Sequence, residues 1–456
     1  MQVTKSIFIQ RALLGVFWVL GTVGFVCDEL FTNIESLRTY INLGCDAILV
    51  LLGLMSLRHR ADLLTIGSLL LIAITSSLVF NRLPLMFTVN GLRVFIGAMF
   101  CYPIFRYFMD EPKRREHFIK SFDKSLEMFL WLQVPCIGYQ FVIYGAGDHG
   151  GGSLGNWYSG TISMMIYLIS FYLIRKRINP RHFVNSILTN YKYVLLLTPT
   201  FLNETKISFV LLVLYFILLV PIGKRMFARA LIVVPVMSVL FGLGYMTYKV
   251  TYQGEVSNKS SATVTPDDVD IFSEEYLTEY VFSDLENAEE GVEWSIDNNE
   301  SGLADIGRVT KFLLLPMFEE DNPGHVPLGF GVGHFKGGTK MDHSEFFEHY
   351  EWYLMGTIPY LIHIYLQLGV IGVIWFIVFL VLLFVRHPVW CSVRDLNMQI
   401  FLAILIVINF FYIESMCDPI FCIVLYGLLA MSWLPDSDSD ASTDLDASVK
   451  HDKAAV

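Results

Sequence analysis

Charge is what this sequence has least of: Asp, Glu, Lys and Arg make up only 16% of its 456 residues, against about 25% in an ordinary soluble domain. With 54% of the chain in the AVILMFWYC set, that shortage excludes both a soluble globular protein and a disordered one. Cysteine chemistry is missing too. The seven cysteines (Cys27, Cys45, Cys101, Cys136, Cys391, Cys417 and Cys422) form no CxxC and no His-Cys ligand spacing, so neither a metal site nor a thioredoxin-like centre is suggested. The apolar runs show no alternation of period two, which argues against a β-barrel. No small-x-small cleavage step follows the run from Leu13 to Val26, so this run is expected to be a retained first span. No internal repeat and no matched pair of broken helices is visible, which weakens an inverted-repeat transporter.

What is there is a series of apolar runs, at about 7–27, 39–57, 63–80, 85–105, 125–144, 158–174, 193–202, 207–223, 229–249, 369–385, 398–413 and 419–434. A helix crossing a ~30 Å hydrocarbon core needs roughly 20 apolar residues. The expected fold is therefore all-α and polytopic, with about 12 transmembrane helices and one large extracytoplasmic loop. The seventh run is too short to span alone. It reads either as one of two short helices meeting at a membrane face across Asn203-Glu204-Thr205-Lys206, or as part of one long helix with a polar centre; Pro199 and the parity of the remaining spans favour the first.

Orientation follows from Lys and Arg in the short loops. With a cytoplasmic N-terminus, the inside segments hold 19 cations and the short outside segments hold Arg38, Arg82 and Lys206 alone. Both termini are thus expected inside the cell. The chain divides into residues 1–249 with the first nine spans, a 250–355 extracytoplasmic loop, 356–434 with a juxtamembrane helix and the last three spans, and a 435–456 cytoplasmic tail. The net charge of −11 resolves into −17 between Thr251 and Leu354, −4 in the tail and +10 elsewhere. The tail, rich in Asp, Ser and Ala, has the composition of a disordered segment.

Three features of the last third stand in a fixed order: Arg308 ahead of an amphipathic stretch; Gly329-Phe330-Gly331-Val332-Gly333-His334-Phe335; and the run from Pro359 and Tyr360 to a G-h-h-G step at Gly369 and Gly372. In that order, two spans after a short-helix step at Thr198–Phe209, they resemble the core of the O-antigen polymerase and ligase superfamily. The resemblance implies a Wzy-like polysaccharide polymerase of the bacterial inner membrane. Such an enzyme joins oligosaccharide repeats carried on undecaprenyl pyrophosphate for O-antigen, capsule or exopolysaccharide, with no cofactor and no metal. Its partners would be the lipid-linked glycan, the bilayer, and a chain-length regulator and flippase of the same pathway; nucleic acid has no place. The ligases of this superfamily carry a His where Ile358-Pro359-Tyr360 stands here, and that departure favours a polymerase. A ligase, and a transporter or flippase of lipid-linked glycan, are the alternatives.

Physical chemistry singles out an overlapping set. A lipid pyrophosphate is a polyanion at the outer membrane face, and holding it demands cations at a depth where few are tolerated. Arg93 inside the fourth run, Lys206 at an outer junction, and Arg308 and Lys311 one helical turn apart are the candidates. Arg93 is costly to keep unless paired, so it reads either as a functional cation or as half of a structural ion pair. Lys206 reads as a ligand for phosphate, as a partner of Glu204, or as a snorkelling side chain. The acceptor hydroxyl needs a base, for which His334 and His343 stand first, ahead of His349, His363, Glu345 and Glu348. The catalytic set is thus Arg308, His334 and His343. Gly331 and Gly333 would let backbone approach a sugar closely, with Tyr360 beside them.

Overall fold

A computed structural model describes residues 2–31, 35–145, 150–156, 158–179, 182–202, 207–220, 230, 233–244, 246, 308–333, 350, 353–354, 357–385 and 393–432. Among the described residues there are helices and turns but no strand. In chain order the helices are α1 (Gln2–Phe25), α2 (Glu35–Ser56), α3 (Arg60–Ile74), α4 (Leu85–Leu92), α5 (Ile96–Met109), α6 (Pro112–Tyr144), α7 (Ser159–Arg177), α8 (Phe183–Thr189), α9 (Tyr191–Leu195) and α10 (Ile207–Leu219). After them come α11 (Val233–Gly244), α12 (Arg308–Leu313), α13 (Leu315–Asp321), α14 (Tyr360–Val385), α15 (Val393–Tyr412) and α16 (Pro419–Ser432).

Among the described residues, six segments are long and apolar enough to cross a membrane: Lys5–Leu30, Leu37–Ser56, Arg60–Phe80, Leu85–Met109, Pro112–Tyr144 and Tyr360–Phe384. Four shorter apolar helices, α10, α11, α16 and Leu396–Tyr412 within α15, accompany them. The protein is a multi-pass α-helical membrane protein. The 193–202 run divides into α9 and a 3₁₀ turn at Thr198–Phe201, as expected of a run too short to span, while 203–206 lies outside the described residues. So do 251–307, most of the expected outer loop, and the 433–456 tail.

The interior and exterior of the bundle follow from burial. α5, α7 and α16 form its centre, and every residue of α16 from Ile420 to Ser432 is buried. Around them stand α1, α2, α3, α6 and α14, whose outward faces carry Leu51, Leu64, Leu71 and Val142, all more than half exposed. Large apolar side chains pointing away from a packed core are what a lipid solvent favours and water does not. α6 illustrates the local logic. Pro112 begins it, where a missing N–H costs nothing, and Gly145 ends it at a φ of 83° that suits glycine.

The two ends of the bundle differ. At one, Lys5, Arg58 and Arg114 surround the Tyr107 ring at 6.0, 4.6 and 4.2 Å, Lys176 meets Asp123 at 2.5 Å, and Lys192 meets Glu127 at 2.5 Å. At the other, α1 ends in a π turn (Val26–Leu30) that turns two acids inward. Asp28 accepts from Arg38 at 2.6 Å and from the Asn156 backbone at 3.1 Å, and Glu29 accepts from Gln140 at 3.1 Å and Tyr144 at 2.8 Å. Gln133 and Gln140 also take the backbone N–H groups of Ser153 and Gly152, so the glycine-rich segment after α6 folds into the bundle with its polar groups paired.

Candidate functional site

The glycine-rich stretch and the G-h-h-G step, 36 residues apart from Gly333 to Gly369, meet at the end of the bundle away from the cationic cluster. The sequence places a juxtamembrane helix ahead of an apolar run that starts at Gly369. The structure breaks α14 at that residue, at φ 66° and ψ −165°. A break in a spanning helix frees backbone groups that lipid cannot satisfy, and the segment after α13 supplies their partners. Phe330 N–H donates to the Leu366 carbonyl at 2.7 Å and Gly331 N–H to that of Gln367 at 3.1 Å, while Val370 and Ile371 N–H donate to Val326 and Pro327 at 3.0 and 3.1 Å. A π turn at the end of α3 (Thr75–Phe80) locks the junction. The Ser76 hydroxyl lies 2.5 Å from the Leu328 carbonyl and 3.2 Å from that of Gln367. Val332 N–H donates to Ser77 at 2.9 Å, and the Asn81 amide donates to the Gly329 carbonyl at 3.0 Å.

This places Gly331 and Gly333. Both have positive φ, and a Cβ on Gly333 would lie 2.2 Å from the Phe87 carbonyl oxygen. One on Gly331 would lie 2.8 Å from the Leu83 side chain. The close approach that glycine permits is made here to the chain's own atoms. Gly91 of α4 completes the contact, its missing Cβ leaving room for Gly333 N.

α12 carries Arg308 and Lys311 onto the same end. The Arg308 guanidinium lies 4.1 Å from the centre of the Tyr412 ring, and its buried Nε has no acceptor among the described residues. Lys311 is fully buried; its ammonium donates to the Thr357 carbonyl at 3.3 Å, and its own carbonyl accepts from Tyr353 at 2.6 Å. Burial pushes the Tyr353 phenol up, which keeps it a donor. A small apolar cluster of Leu314, Phe330, Tyr353, Leu354, Ile358, Ile362 and Leu366 welds this cap to the first turns of α14, and Tyr365 of α14 bonds Glu319 of α13. Tyr360 is buried between the rings of Phe376 and Phe410.

Arg93 has a partner. Its Nε donates to Asp46 at 2.7 Å and one terminal nitrogen reaches Asn90 at 3.3 Å, so of the two readings open to it the structure supplies the ion pair. Lys206, His334 and His343 lie outside the described residues. Of these candidate cations, Arg93 is thus paired with Asp46, Lys206 lies outside the described residues, and Arg308 keeps an Nε with no acceptor among them. Sequence reasoning passed over Ser76, Ser77, Asn81 and Asp46. For Asp46, Ser76 and Ser77 the signal available was polarity inside an apolar run, where each needs an internal partner; Asn81, just past the end of its run, gave none. It considered His363 as a base; the structure buries it in the first turn of α14, its nitrogens close to Glu414 and Cys417.

No protein-family model matches the chain, and no curated protein matches it either.

Proposed function

We propose that this protein is a polysaccharide polymerase that transfers a growing glycan from undecaprenyl pyrophosphate to a lipid-linked repeat unit at the outer face of a bacterial inner membrane. The observation that carries the reading is Arg308: a guanidinium seated on Tyr412, with a buried N–H that has no acceptor among the described residues, at the bundle end opposite the cationic cluster. A buried donor without an acceptor costs about 1–3 kcal/mol, and a pyrophosphate oxygen would recover that with a charge-assisted bond. In this reading the acceptor hydroxyl attacks the anomeric carbon, the bond to the pyrophosphate oxygen breaks, and the leaving group takes the electron pair. Arg308 stabilises the charge that develops on that group, with Lys206 and Lys311 supporting the field. His334 and His343 are the bases put forward for the hydroxyl proton. The transfer as proposed needs neither metal nor cofactor.

The rest of the reading follows. The cationic end faces the cytoplasm in accordance with the positive-inside rule, both termini lie inside, the chain crosses about twelve times, and 250–355 lies outside. A transporter or flippase is the second reading. It is favoured by the Arg93–Asp46 pair within a span and by the break in α14, both features of transport pathways.

Deletion strains distinguish the readings by their glycans. Loss of long chains with a single capped repeat surviving is the polymerase outcome. Full-length lipid-linked polymer accumulating marks a ligase, and repeats trapped inside the cell mark a flippase. Complementation with Arg308→Ala is expected to leave single repeats at normal protein level; wild-type chain lengths in that strain would overturn the proposal.

A further inference from the structure

The described residues hold one group of three potential metal-ligating side chains: His363, Glu414 and Cys417, whose ligand atoms all lie within 4.8 Å of one another. The geometry points to a binding site for a thiophilic divalent cation of the zinc type, closing the turn between α15 and α16 onto the first turn of α14. This inference does not rest on the polymerase reading.

Local structure brings the donors together. A 3₁₀ turn at Ser415–Cys417 is closed by Cys417 N–H donating to the Glu414 carbonyl at 2.8 Å, which sets residues 414 and 417 on one side of it. The turn is itself fixed: the Ser415 and Thr161 hydroxyls lie 2.7 Å apart, and the Cys422 thiol donates to the Met416 carbonyl at 3.2 Å. His363 arrives from another element. Its backbone N–H closes the first turn of α14 on Pro359 at 3.1 Å, and its ring is buried.

The donor set has the chemistry of zinc. Imidazole nitrogen, thiolate sulfur and carboxylate oxygen bind that ion at about 2.0–2.3 Å, which in a tetrahedron separates donors by roughly 3.3–3.7 Å. Atoms already within 4.8 Å of each other need shifts on the order of 1 Å. A thiolate and a carboxylate sum to −2, so a dication leaves the site neutral, which suits a place with little water. Calcium and magnesium, which want six or more oxygens, do not fit. Three protein donors leave a fourth position for water, and Glu414, only half-buried, gives the ion an entry path. Glu414 also lies two residues beyond Tyr412, the ring beneath Arg308, so a bound ion would steady that platform.

The test uses the full-length protein in detergent, purified without a metal-affinity step, stripped with a chelator and titrated with Co²⁺ or Zn²⁺. Wild type is expected to take up about one Co²⁺ tightly and to show a thiolate-to-cobalt charge-transfer band. Cys417→Ser should lose the band, and His363→Ala should lose tight uptake. Cys422→Ser, at a neighbouring thiol outside the trio, should keep both. One further measurement needs no variant: Zn²⁺ should slow alkylation of Cys417 in wild type at least tenfold. Absence of the band in folded wild type, an equal band in Cys417→Ser, or unchanged alkylation would overturn the site and mark the trio as an ordinary hydrogen-bonded cluster. Because these readouts follow the metal and not the glycan, failure here leaves the polymerase reading standing, and the reverse holds.

Discussion

A carboxylate and a guanidinium facing each other inside a span, as Asp46 and Arg93 do at 2.7 Å, stabilise each other chiefly because either alone would be very costly there. Asp46→Leu or Arg93→Leu singly should therefore lower stability by about 3–5 kcal/mol. The double variant should recover most of that in thermal unfolding, and a double variant no better than the singles would show that the pair does not act as a unit. The same variant separates fold from activity: if it is stable and still makes long glycan, Arg93 has no part in the proposed chemistry. Arg308 differs, since its guanidinium stacks on a ring and keeps an N–H without an acceptor among the described residues. Arg308→Lys retains the charge but not the planar fork, and glycan chain length with this variant should fall well short of wild type. At this scale the sequence showed the cost of a residue better than its partner. An Arg in an apolar run announces that something must neutralise it, but which acid does so depends on how α2 and α5 lie together. The grouping of His363 with Glu414 and Cys417 was illegible for the same reason: the histidine lies about 50 residues before the other two, which share one turn.

Among the elements, α14 shows how far pattern reading reaches: the apolar run starting at Gly369 marks the place of the break, but not the break itself. Its apolar run and its two glycines are plain in the sequence, yet a helix crossing Gly369 and one broken there have the same composition. The choice is made by four backbone hydrogen bonds from 326–331, and backbone partners leave no trace in side-chain pattern. Substitution should expose the difference. A Cβ at Gly369 would sit 2.4 Å from the Pro327 carbonyl carbon at a positive φ, so Gly369→Ala should cost about 2–5 kcal/mol from left-handed strain and overlap together. Gly67 in α3 has no atom within 4 Å of its Cβ position, and Gly67→Ala should be neutral or stabilising by up to about 1 kcal/mol. Thermal midpoints of the two variants in one detergent check both; equal shifts would mean that the break is not a fixed feature. Ser76→Ala should cost about 1–3 kcal/mol and make the 323–333 segment more sensitive to protease.

For the molecule as a whole, composition alone identified an α-helical membrane protein, and the outward-facing leucines around a buried α5, α7 and α16 agree with it. Crossing number was less legible. Helices such as α10 and α16, with 13 and 14 residues, are shorter than the ~20 a span needs, and run counting treats them as equals of α6. The charge asymmetry makes orientation testable in intact cells. Cysteine placed at exposed Gly324, which has open space around it, should react with an impermeant maleimide, whereas cysteine at Arg58 should react only after permeabilisation. The reversed pattern would invert the topology and remove Arg308 from the outer face. The break in α14 also bears on biogenesis. The strip of backbone that satisfies α14 precedes it in the chain, and the serines that hold the strip precede both. As α14 leaves the ribosome, its partners are already made, so the helix can enter lipid with its gap about to be sealed. Moving 323–333 behind α14 by circular permutation should leave that gap open during insertion, and the quality-control proteases of the membrane should degrade the product.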